Sequence, residues 1–60
     1  MLFAVDSLVE HKVTHGRYII VGYAMREEDC QVSYNYIAEG GEGPVWNRLA
    51  SQMEERFVQC

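Results

Sequence analysis

Sixty residues, 48% of them apolar and 23% charged, bound the chain to one small folded domain and exclude a disordered segment. The net charge of −4 argues against a nucleic-acid partner, since the five basic residues (Lys12, Arg17, Arg26, Arg48, Arg56) are dispersed and phosphate binding needs them clustered. No stretch approaches the roughly 18 apolar residues of a membrane span.

A chain this short hides only about 60% of its unfolded surface, so its core is marginal. A partner subunit is the expected reinforcement, and a homo-oligomer (dimer or tetramer) is predicted. The start, MLFAVDSLVEHK, lacks the basic region and small-residue cleavage site of a signal peptide, so a cytoplasmic location is expected. There disulfides are rare, and Cys30 and Cys60 are expected to stay reduced.

The stretch LFAVDSLVEHKV reads as a short opening segment followed by a strand from Leu8 to Val13. Thr14-His15-Gly16-Arg17 is the connection, with Gly16 expected to supply a positive φ. The next strand, RYIIVGYAM, is apolar on both sides. Tyr18, Ile20, Gly22 and Ala24 share one face, and Ile19, Val21, Tyr23 and Met25 the other. That pattern predicts a central strand with two covers: a helix on one side, a second subunit or the curl of the sheet on the other. Gly22 signals a bend, a bulge or a close backbone approach.

Arg26-Glu27-Glu28-Asp29 lacks the alternation and the glycine of a calcium loop and reads as a solvated turn. A third strand is predicted from Cys30 to Glu39, with Cys30, Val32, Tyr34, Tyr36 and Ala38 opposite Gln31, Ser33, Asn35 and Ile37. Residues 40–43, Gly-Gly-Glu-Gly, form a link, and Pro44 suits a first helical position. From there Trp46, Leu49, Ala50, Met53 and Phe57 recur every three or four residues. This spacing predicts one amphipathic helix over 44–59. The fold expected is α+β: a single domain with a small curved antiparallel sheet of three to four strands over 3–39, and one C-terminal helix on it.

Chemistry-bearing groups are sparse. His11, His15 and Cys30 fall short of the four ligands of a structural zinc site. Cys30 is expected to pack as a small hydrophobe rather than act as a nucleophile. The Gly-Gly-Glu-Gly link lacks the Lys and Ser/Thr of a phosphate loop. No catalytic, cofactor-binding or metal-binding residue is assigned. Tyrosine joins an apolar ring to a polar tip and favours interfaces, so Tyr18, Tyr23, Tyr34, Tyr36 and Trp46 form the candidate interaction surface. Tyr34 and Tyr36 lie about 7 Å apart on one face of their strand. They either pack under Trp46 and Met53 as core or meet a partner.

The order VDSLVEHKV, THGRYIIVGYA and CQVSYNY resembles the opening of small SH3-like barrels, among them the plasmid-borne dihydrofolate reductases of mobile gene cassettes. The resemblance covers Val5 to Tyr36. It implies a small curved sheet that becomes useful by self-association, as in the tetramer of those reductases, whose central pore is the active site. Their pore motif, Val-Gln-Ile-Tyr, has no counterpart in CQVSYNY, and they lack the long helix expected here, so no catalytic residue carries over.

The function expected is a non-enzymatic, oligomeric interaction module that binds a protein or small ligand. The alternatives are an enzyme whose site assembles at a subunit axis from Tyr34, Tyr36 and His11, and a phage- or cassette-borne inhibitor of a host protein.

Overall fold

β-branched and aromatic residues cluster where strands form. In the computed structural model, which describes residues 1–60, β1 spans Leu8–His11, β2 Arg17–Met25 and β3 Val32–Ala38. β4 (Trp46–Leu49), α1 (Ala50–Arg56) and β5 (Phe57–Gln59) follow. Every pairing is antiparallel, and the sheet order is β4-β3-β2-β1-β5. The class is α+β, with a five-stranded sheet and one short helix.

The helix is half as long as its apolar stripe suggests. Only Ala50–Arg56 is helical, seven residues in place of 44–59, and strands flank it on both sides. Trp46-Asn47-Arg48-Leu49 pairs with β3 instead, where Trp46 faces Tyr36 and Arg48 faces Tyr34. Phe57 begins β5 and lies opposite His11. Strand pairing wins because it places large side chains against aromatic neighbours and completes backbone hydrogen bonds across the sheet. No side chain caps α1, so the burial of Met53 holds it in place.

This short helix dictates the curvature. In a flat five-stranded sheet the outer strands would stand about 19 Å apart. A helix of seven residues reaches only about 10 Å. Joining β4 to β5 through α1 therefore requires the sheet to curl, with its inner face closing on itself.

A β-bulge sorts the faces of β2. The register with β3 shifts between Ile20 and Gly22, which leaves Val21 unpaired. Beyond it the parity inverts: Tyr23 faces Tyr34 and Met25 faces Val32, while Gly22 and Ala24 fall on the other side with Asn35 and Ser33. The inner face thus carries Tyr18, Ile20, Tyr23 and Met25, where strict alternation would have separated Tyr18 from Tyr23. One extra residue brings all four tyrosines to one side of the sheet.

The core follows from this sorting. Phe3, Val9, Ile20, Tyr34, Tyr36, Met53 and Phe57 form one buried cluster, with Tyr18 and Ala50 against it. The outer face keeps an apolar row across three strands, Leu8 beside Ile19 beside Ile37, with Val21 and Val58 exposed. Next to it the Asn47 amide donates to Ser33 Oγ at 2.9 Å and Asn35 Oδ1 at 2.7 Å, fastening β4 to β3.

Two loop expectations change. The positive φ of the first connection belongs to His15 (62°), not Gly16. The loop closes when the His15 N–H donates to the His11 carbonyl, while His11 Nδ1 accepts from the Val13 and Thr14 amides. Gly16 provides space instead: a Cβ there would stand 3.3 Å from the Tyr18 hydroxyl oxygen. Cys30, expected in a strand, is an exposed loop residue at φ 55°, because β3 begins two residues later at Val32.

Candidate functional site

The curled sheet has two ends, and each holds two of the four tyrosines. At one end Tyr23 and Tyr34 stack edge to face, with ring centroids 5.6 Å apart. The opening segment crosses this end and inserts Phe3, 1% exposed, whose ring lies 5.5 Å from Tyr34. Hydrogen bonds fasten the plug. The Tyr23 hydroxyl donates to the Phe3 carbonyl at 2.7 Å, and the Phe3 N–H donates to the Tyr34 hydroxyl at 3.0 Å. Tyr34 in turn donates to Glu54 Oε2 at 2.6 Å, and the Leu2 N–H donates to the same oxygen at 3.0 Å.

The electrostatics agree with that geometry. The hydrogen bond from Tyr34, and then the one from the Leu2 amide, hold the Glu54 carboxyl below its ordinary value. Burial, and then the bond to Glu54, push the Tyr34 hydroxyl upward, so phenol and carboxylate keep their complementary forms. Both phenol hydroxyls of this end are used internally. It is the closed end.

At the opposite end Tyr18 and Tyr36 meet edge to face at 5.3 Å, and Phe57 packs on both at 5.7 and 5.8 Å. His11 lies edge-on to Phe57 at 4.9 Å. No plug covers these rings. Tyr18, Tyr36, Trp46 and Arg48 line an open groove of about 180 Å³. The Tyr18 and Tyr36 hydroxyls have no hydrogen-bond partner within the chain, and no unpartnered polar side-chain atom is buried, so both tips reach solvent. Trp46, the chain's one tryptophan, is 50% exposed at the rim.

Arg48 sets the charge of the groove. Its guanidinium carbon lies 5.8 Å from the centre of the Phe57 ring, a cation–π contact that holds it half-buried. The chain's ion pairs use Glu10 with His15 and Arg17, and Arg26 with Asp29. Arg48 takes part in none of them.

The five aromatic residues singled out from the sequence therefore divide between the two ends. Tyr34 is 0% exposed in the core, and Tyr23 ties down the opening segment, so neither offers its hydroxyl to a partner. Tyr36 is buried through most of its ring but shows its edge to the groove beside Tyr18 and Trp46. His11 lies at the groove end with its Nδ1 committed to the turn, remote from the Tyr34–Glu54 bond. Cys30 lies at the far end of β2 from His11 and His15. Phe3, Glu54 and Arg48 carry the contrast between the ends, and sequence reading missed all three. For Arg48 the signal was its period of two with Trp46, which the helical spacing of the same segment masked. Comparison with known proteins finds no matching family model, no significantly similar curated protein and no significantly similar solved structure.

Proposed function

We propose that the chain is a non-enzymatic interaction module that binds its partner through the open groove of Tyr18, Tyr36, Trp46 and Arg48. One observation carries this reading: the groove end leaves two phenol tips, an indole and an unpaired guanidinium facing solvent, while both phenol tips at the other end are used internally. Aromatic rings and arginine are the side chains that dominate binding energy at protein interfaces. The lining pairs no acid with a base, which favours recognition over catalysis. Five strands in the order β4-β3-β2-β1-β5, curled through a helix of about two turns, support an SH3-like description of the fold.

Self-association belongs to the same proposal. It is supported by the outer row of Leu8, Ile19 and Ile37, flanked by exposed Val21 and Val58, which lies on the opposite face from the groove and leaves the groove free. Sedimentation at micromolar concentration should show a species heavier than 6.9 kDa that Ile19→Glu reduces to a monomer; a wild-type monomer at all concentrations contradicts the oligomer. Capture of a soluble partner that is lost on Trp46→Ala supports the groove. Capture that survives Trp46→Ala and Tyr36→Ala together places the binding surface elsewhere.

A further inference from the structure

We infer that the groove takes an extended peptide that adds to the free edge of β4, with an acidic residue two positions from an apolar one. The inference rests on the groove being the binding surface and specifies what binds there. β4 pairs with β3 alone and forms one border of the sheet. In such a strand every second residue turns its N–H and C=O outward, and these groups can pair with a further strand.

The side chains then dictate the sequence of that strand. Trp46 and Arg48 are two residues apart on β4, and both point to the inner face, since they oppose Tyr36 and Tyr34. An added strand places alternate side chains on this face, each about 5 Å from its neighbour across the pair. The residue opposite Arg48 meets an unpaired guanidinium and is favoured as Asp or Glu, whose carboxylate matches the arginine fork. The residue opposite Trp46 meets indole and phenol faces and is favoured as apolar or aromatic. The chain is acidic overall, with net charge −4, and Arg48 is the one charged residue of the groove lining, so within the groove the acid of the ligand is favoured there.

The test uses the full chain, fluorescently tagged, on an array of capped hexapeptides randomised at every position. The expected result is enrichment of peptides with Asp or Glu two positions from a large apolar residue. Adding such a peptide in solution should shift the emission of Trp46. Arg48→Gln should weaken these peptides roughly tenfold and abolish the acidic preference, while Trp46→Ala removes capture. Enrichment that depends on Trp46 but shows no acidic preference overturns this inference and leaves the groove as a binding surface. Capture of no peptide above the Trp46→Ala control overturns the peptide inference, and capture of a soluble partner separately decides the groove. Trp46 emission that responds to oligothymidylate instead, or to dilution of the protein alone, assigns the groove to single-stranded nucleic acid or to a second copy, and the peptide inference falls.

Discussion

The two ends of the sheet use the same residue in opposite ways. Tyr23 and Tyr34 spend their hydroxyls on the opening segment and on Glu54, whereas Tyr18 and Tyr36 share ring contacts of the same geometry and leave their hydroxyls to solvent. Ring burial does not sort the ends: Tyr34 and Tyr36 are buried, one at each end, while Tyr23 at the closed end is 43% exposed. The disposition of the polar tip does. An aromatic cluster with satisfied tips is a piece of core, and one with free tips beside a cation outside any ion pair is the kind of surface the proposed interaction would use.

The largest expected effect lies at the closed end. Phe3→Ala removes the plug and opens a cavity against Tyr34, and should cost about 3–5 kcal/mol. In a domain with so small a core that loss abolishes the cooperative transition in urea. Retention of a wild-type midpoint breaks the comparison at its strongest point.

Acid separates the ends next. The carboxyl of Glu54 is held below its ordinary value of 4.5, so its contribution is complete above that pH and is lost as the pH falls through the lower folded value. Glu10, near the open end, is also lowered, first by the hydrogen bond with His15 and then by that with Arg17, but its pair lies on the surface. Thermal unfolding from pH 6 to 3 should therefore show a loss on acidification that Glu54→Gln reduces in 0.5 M salt as in 0.05 M salt. The Glu10→Gln effect should shrink at the higher salt, because exposed pairs are screened. Equal salt sensitivity of the two variants argues against the distinction.

The smallest stability effect belongs to the groove rim. Trp46→Ala and Arg48→Gln should each shift unfolding by less than about 1 kcal/mol, since both side chains stand at an open edge. A loss comparable to that of Phe3→Ala would mean that the groove is a structural site after all.

Much of this architecture was legible in the sequence, and the missing parts share a cause. RYIIVGYAM reads as a central strand from its apolar run, and β2 matches that stretch from Arg17 to Met25. The Gly22 signal corresponds to the bulge. The C-terminal third was not legible because Trp46, Leu49, Ala50, Met53 and Phe57 satisfy a helical period, while Trp46 and Arg48 also satisfy a strand period. Only pairing with β3 and β1, which is a long-range matter, decides between them. The positive φ fell on His15 rather than Gly16 because the His11 ring organises that turn, a contact invisible to residue-type preference. The tyrosines were recognisable as a group. Their division between the ends depended on Phe3 and Glu54, which lie 31 and 20 positions from Tyr34.

The most direct test of that division is the set of four single Tyr→Phe variants, compared by urea unfolding followed by circular dichroism. Each substitution removes one hydroxyl and keeps its ring. The expected result is a loss of about 1–2 kcal/mol for Tyr34→Phe and about 1 kcal/mol for Tyr23→Phe, with Tyr18→Phe and Tyr36→Phe within about 0.5 kcal/mol of wild type. Equal losses at both ends, or a larger loss at Tyr18 or Tyr36, would contradict the assignment of one end to stability and the other to recognition.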